Sequence, residues 1–317
     1  MQKIIIILSA FFIIPIAFGF TDNYSDKIQV KHLNEDSART YIHAKSIYSH
    51  GLDTLPNIIF WNKIINLSPD SGFVNIASSR QILKTIHVKA YSKKTDAQKT
   101  LWRDSIRKAM SLPADEKIVF STGRSDFYLL EKVMPDIGRG IKIFEADSVD
   151  PFFAQTILLI ESPGTLQKSS TGAYGPFQIM KGVARNMGLT VNKYIDERKD
   201  FDKSAHAAAK LIRTICIPYA NAILNKYGIT YNEDELWYKL LILHVYHAGS
   251  GNVEKAVAKI KLCELNSDFI KQLWQTTAGA FGNASQSYSQ VAIACLIQLD
   301  VLINRHCEVI YKCNEQG

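Results

Sequence analysis

The chain has 317 residues, 47% of them hydrophobic and 21% charged. Those proportions exclude a collagen-like, low-complexity or disordered chain and leave room for about two domains. Lys and Arg outnumber Asp and Glu by 37 to 30, giving a net charge of +7 and a pI near 9.0. Such a balance suits an anionic partner (nucleic acid, a membrane surface or cell-wall polymer) without choosing among them.

Residues 1–20 read as a signal peptide. Lys3 is a short positive segment, Ile4 to Phe18 is apolar, and Ala17-Phe18-Gly19 offers small residues at the spacing of a cleavage site. The expectation is an exported, periplasmic protein; left uncleaved, the same segment would anchor it in the inner membrane. No cysteine stands near the cleavage point for lipid attachment. Residues 21 to about 80 lack clear periodicity and are expected to form an irregular wrapping segment. Residues 84–108 hold eight Lys or Arg against two Asp. In an exported chain this favours a solvated helix face, or weak attraction to anionic wall polymer, over nucleic-acid binding. Within it, Thr95 to Met110 is amphipathic, with Leu101, Trp102, Ile106, Ala109 and Met110 on one side, and Pro113 follows as a stop. Lys117 to Ser121 is the best strand signal. Gly138-Arg139-Gly140 reads as a turn with no phosphate-loop context.

Pro151 to Glu161 predicts a helix with proline in its first turn and Pro163 beyond its end. Glu161 then falls in the last turn, on the face of Ile157 and Leu158. The negative end of the helix dipole and the apolar neighbours both favour the protonated carboxyl. A helix end would ordinarily carry Lys or Arg, so this glutamate breaks a local rule as functional residues do, and it suits a general acid. Further on, Asp200-Phe201-Asp202 predicts an N-cap before an Ala-rich helix from Ser204 to Ile217. Leu236 to His247 predicts another helix, Gly249-Ser250-Gly251 a turn, and Asn252 to Ile260 a short helix. Val291 to Ile303, interrupted by Gln298 and Asp300, reads as a buried helix rather than a membrane span. The five cysteines, Cys216, Cys263, Cys295, Cys307 and Cys313, match no zinc spacing; they are expected to be buried or partly paired, with Cys307–Cys313 one possible bridge. His244 and His247, three apart, lack the third ligand of a zinc site. No metal or cofactor is expected.

Three blocks in order resemble the signature of the lytic transglycosylases. The first runs from Glu161-Ser162 through Ser169-Ser170-Thr171-Gly172-Ala173-Tyr174-Gly175 to Gln178-Ile179-Met180. Tyr194 to Asp200 follows with its Ala-rich helix, and His244-Val245-Tyr246-His247-Ala248-Gly249-Ser250-Gly251-Asn252-Val253 closes the series. The Asp196-Glu197-Arg198-Lys199-Asp200 stretch is most similar to the membrane-bound lytic murein transglycosylase D branch. The resemblance covers residues 150–260. Three departures stand out: a spacer between Glu161 and Gly172 one residue shorter than usual, Pro176-Phe177 after Gly175, and His247 where asparagine is usual.

The resemblance implies a mainly α fold. A lysozyme-like catalytic domain at 150–260 would be flanked by a mostly helical region at 21–149 and a helical region at 261–317, which brace it. It implies cleavage of the β-1,4 bond between N-acetylmuramic acid and N-acetylglucosamine in peptidoglycan, leaving a 1,6-anhydro end. Glu161 would act first as acid and then as base, and the substrate's acetamido group would stabilise the anomeric centre. Ser162 is carried over with the substrate-binding set. Ser169 would orient Glu161, with a turn hydroxyl as its alternative. Gln178 would bind the acetamido group, Met180 would line the groove, Tyr246 would hydrogen-bond Glu161, and His247 would join the substrate-binding set. Gly172 and Gly175 would let the backbone approach a sugar. A second acid drawn from Asp196, Glu197 or Asp200 is disfavoured, since pairing with Arg198 explains those charges. Two further readings stay open: a hydrolytic muramidase of the same fold, and a non-catalytic peptidoglycan-binding protein.

Overall fold

The structure, a computed structural model, describes residues 27–31, 38–123, 129–161, 168–260 and 267–314. The expected signal peptide, Ser162, Pro163-Gly164 and Cys263 lie outside the described residues, as do the side chains of Cys307 and Cys313.

The fold is mainly α, and the five strands among the described residues fall before residue 123. Strands β1 (Lys27–Val30) and β2 (Arg39–Ile42) form an antiparallel pair. Helices α1 (Lys45–Ser49) and α2 (Pro56–Ile65) follow. Strands β3 (Ser71–Ile76) and β4 (Ile82–His87) make a hairpin, and after α3 (Val88–Ser92) and α4 (Asp96–Ala109), β5 (Ile118–Thr122) joins the other edge of β3. The region expected to be mostly helical, with an irregular start, thus carries two small sheets. Its strands are only four to six residues long, too short for a period-2 pattern to stand out. Helix α4 forms as expected, capped by Thr95 and Gln98 in a reciprocal box. None of it is buried, and Leu101 is 70% exposed. Its Trp102 ring meets Tyr91 of α3.

The core begins with α5 (Leu130–Ala146) and α6 (Pro151–Glu161). Gly138-Arg139-Gly140 is not a turn but lies inside α5. The absence of a side chain at Gly140 lets α5 press on α6, where an added Cβ would stand 3.0 Å from Leu158 Cδ1. Every residue of α6 from Pro151 to Ile160 is buried. Full burial of chains such as Ile157, Leu158 and Leu159 contributes about 1.5–3 kcal/mol each. Buried Gln155 extends β2 in place of a further strand: its Oε1 accepts from Ile42 N at 2.9 Å and its Nε2 donates to Ile42 O at 2.7 Å.

Seven further helices follow among the described residues. They are α7 (Lys181–Asn186), α8 (Phe201–Leu211), α9 (Ile217–Lys226), α10 (Leu236–Ala248), α11 (Ser250–Val257), α12 (Ser267–Gln275) and the long α13 (Asn283–Asn314). Asp200 caps α8 as expected, accepting from Lys203 N at 3.0 Å. Helices α8 and α9 run on through one π turn, Ile212–Cys216, just before Pro218, which has no N–H to continue the regular ladder. By length and composition 201–226 and 283–305 could cross a membrane, but 72% of the latter's apolar window is buried inside the protein.

Helix α13 packs on α2, α6 and α10 and is tied at three levels to the N-terminal region. Arg80 reaches Asn283 and Ser287, Trp61 Nε1 donates to Gln290 Oε1 at 3.1 Å, and Tyr48 donates to Asp300 Oδ2 at 2.8 Å. Parts far apart in sequence are thereby fixed around the end of α6.

Candidate active site

Burial along α6 ends at Glu161, whose half-buried carboxyl opens on a cavity of about 360 Å³. Its walls come from three places. Ile160, Glu161 and His247 belong to the segment carrying the sequence signature. Trp61 and Phe120 to Thr122 come from α2 and β5, and Asn283, Ser287 and Tyr288 from α13. Two walls therefore lie outside residues 150–260. Glu161 is the one carboxylate among the described lining residues.

Tyr288, 5% exposed, donates its hydroxyl to Glu161 Oε1 at 2.7 Å. Its ring stacks on His247, with centroids 4.2 Å apart and planes 18° from parallel. Burial, and then the negative charge of Glu161, hold the Tyr288 phenol well above its usual pKa, so it stays a donor. His247 meets solvent at the cavity wall, but the protein around it lowers its pKa, and it is neutral near pH 7.

Tyr246 takes a different part from the one expected. Its hydroxyl donates to Phe177 O at 2.6 Å rather than to Glu161. Burial and the Glu161 charge raise its pKa as well, which places it in the same electrostatic cluster. It joins α10 to the loop 169–180, while the direct contact with Glu161 belongs to Tyr288.

That loop is built around one buried cation. Arg198, 2% exposed, grips Asp196 through two bonds (Nε to Oδ1 at 2.8 Å, Nη2 to Oδ2 at 2.7 Å), and its Nη1 donates to Gly172 O and Ile179 O at 2.9 and 3.0 Å. Arg198 holds the Asp196 carboxyl below the usual carboxylate range. Glu197 pairs with Lys203 at 2.5 Å, and Asp200 caps α8. All three acids are thus committed to structure. Ser169 closes the turn, its Oγ accepting from Ala173 N at 2.9 Å and meeting Thr171 Oγ1 at 2.9 Å; this is the turn-hydroxyl alternative rather than a contact with Glu161. Gly175 packs tightly on Arg198: at φ +86° an added Cβ would stand 1.8 Å from Arg198 O. Gly172, at φ +94°, has open space around its Cα and keeps the expected freedom. Gln178 is held at φ +46°, a strained conformation for this residue, with Nε2 donating to Gly175 O at 3.0 Å. Met180 is 43% exposed at the start of α7 and is not part of the lining beside Glu161.

His244 and His247 face different surroundings. His244 is fully buried; Trp274 donates to Ser289 Oγ at 2.7 Å, and that hydroxyl lies 2.8 Å from His244 Nε2. Among the described residues no cluster of three metal-ligating side chains occurs. Cys216 and Cys295 are free and buried.

Sequence reasoning missed Tyr288, Trp61, Arg80 and the β5 wall. One signal was available for the first. Ser285, Ser287, Ser289 and Gln290 are buried polar residues opening an apolar helix, and buried polar groups are the informative exception in a core.

A lysozyme-like helical domain with one carboxylate at the end of its buried central helix is the class that fold and site define. Residues 141–261 match the family model of the Transglycosylase SLT domain, whose members are lytic transglycosylases acting on peptidoglycan. No curated protein matched the chain.

Proposed function

We propose that the protein is a peptidoglycan lytic transglycosylase in which Glu161 is the single acid and base. The observation that carries this reading is that Glu161 is the one carboxylate among the described residues of the cavity. A hydrolytic glycosidase needs two carboxyl groups flanking the bond, roughly 5–9.5 Å apart, and the nearby acids Asp196, Glu197 and Asp200 are engaged elsewhere.

Protonated Glu161 gives its proton to the bridging oxygen as the bond from the muramyl anomeric carbon breaks, with the substrate's acetamido oxygen supporting that carbon. The resulting carboxylate, held by Tyr288, then takes the proton of the muramyl 6-hydroxyl as its oxygen closes on the anomeric carbon. A 1,6-anhydro end forms, Glu161 regains its proton, and no water is consumed. Gln178 is assigned to the acetamido group, with Ser162, Gly172, Met180 and His247 as further glycan contacts. Residues 150–260 form the catalytic domain, braced and walled by 21–149 and 261–317. Residues 1–20 direct export to the periplasm, and the Asp196-x-Arg198-x-Asp200 stretch supports placement near the membrane-bound transglycosylase D branch.

The test is digestion of purified peptidoglycan by the wild type and by Glu161→Gln, with products read by mass spectrometry. The reading expects muropeptides one water lighter, without reducible ends, and absent with Glu161→Gln. Reducing ends would make the protein a muramidase instead. Intact sacculi that still bind the protein would make it a wall-binding protein.

A further inference from the structure

Three locally unfavourable features meet at Arg80, on the turn between β3 and β4. Its backbone is left-handed, at φ +60°, a conformation unfavourable for an L-residue other than glycine. Its side chain is 5% exposed. Yet no carboxylate pairs with it among the described residues. Burial without a counter-ion costs a charged group several kcal/mol, and it lowers the Arg80 pKa.

What Arg80 touches accounts for these costs. Nη2 donates to Asn283 Oδ1 and to Ser287 Oγ, both at 2.7 Å. Ser287 in turn donates to Asn283 O at 2.8 Å, so one nitrogen holds the first turn of α13 at two points. The guanidinium lies 5.7 and 5.5 Å from the ring centroids of Phe60 and Trp61, and Trp61 is itself bonded to Gln290 on the same helix. The residue after Ser287 is Tyr288, which holds Glu161 at 2.7 Å. Asn283, Ser287 and Tyr288 all line the cavity.

We propose that Arg80 is a positioning residue of the active site, anchoring the first turn of α13 so that the Tyr288 hydroxyl stays on Glu161. The hairpin of the N-terminal region thereby completes a catalytic geometry that residues 150–260 do not contain alone. Lysine is a poor replacement for this anchor, because its compact, strongly hydrated ammonium lacks the planar group that lies against the Phe60 and Trp61 rings. The inference rests on the transglycosylase reading for its kinetic readout only.

The test uses the full chain with tyrosine labelled with carbon-13 at Cζ, the Tyr288 resonance being assigned by its loss in Tyr288→Phe. In Arg80→Lys that resonance should move toward the position of a solvated phenol. On purified peptidoglycan kcat should fall by about tenfold with KM within about twofold, the scale of a lost charge-assisted hydrogen bond. Adding Arg80→Lys to Tyr288→Phe should lower kcat by no more than about twofold further, since the two act on one contact. An unmoved Tyr288 resonance, or a kcat loss that adds fully to that of Tyr288→Phe, would overturn the proposal, whatever happens to Tm. If Arg80→Lys fails to fold, Ser287→Ala removes one acceptor, and the Tyr288 resonance decides in the same way. Should the wild type prove inactive on peptidoglycan, the transglycosylase reading falls, while the resonance still tests Arg80.

Discussion

Tyr288 holds the carboxylate of Glu161 at 2.7 Å from a position 127 residues further along the chain. Of the two residues, only Glu161 belongs to the segment matched by the family model. The carboxylate proposed to react and the hydroxyl that holds it thus come from different parts of the molecule, and their alignment depends on how α13 is seated on α6 and α2.

Tyr288→Phe removes a hydrogen bond to a charged group, worth about 1.5–3 kcal/mol. On the proposed mechanism kcat should fall by roughly 10- to 100-fold, with little change in KM. Initial rates on purified peptidoglycan check this.

The two glycines of the loop should respond differently to alanine. Gly175→Ala forces a Cβ to 1.8 Å from Arg198 O, and this backbone atom cannot swing aside. A loss above about 2 kcal/mol is expected, from the clash added to left-handed strain. Gly172→Ala meets nothing within 4 Å and should cost only the strain, about 1 kcal/mol. Denaturant unfolding of the two variants distinguishes these outcomes.

Asp196 is a structural partner, so Asp196→Asn should leave the product chemistry unchanged while weakening the fold. With Asp196 only partly buried, loss of the charged partner should cost about 1.5–3 kcal/mol, while Arg198 keeps Gly172 O and Ile179 O as partners. A fall in Tm with anhydro products intact supports this; a switch of product type would make Asp196 a chemical participant.

Burial lowers the pKa of His244 to about 3. Below the ordinary histidine pKa of about 6.5 the unfolded chain takes up a proton that the folded protein refuses. Stability from this group is therefore complete above pH 6.5 and is lost as pH falls toward 3, by about 1.4 kcal/mol per pH unit. His244→Asn should flatten that slope in denaturant melts between pH 7 and pH 4.

The sequence by itself determined whatever depends on near neighbours. Helix α6 was legible because Pro151 and Pro163 bound an apolar run, and Glu161 because it ends that run against local rules. The Asp200 cap and α10 were legible for similar reasons. The small strands were not, since a four-residue segment such as Lys27–Val30 carries too few alternations to read. Nor was Gly138-Arg139-Gly140, where glycine marks close packing of two helices rather than a turn. Tertiary structure alone decided that Tyr288, not Tyr246, meets Glu161. It also placed Trp61, Ser121 and Asn283 in one cavity and put a buried Arg80 behind them. Hydrogen bonds between residues more than a hundred positions apart leave no periodic trace in a chain; they exist only once the core around α6 has brought its distant segments together.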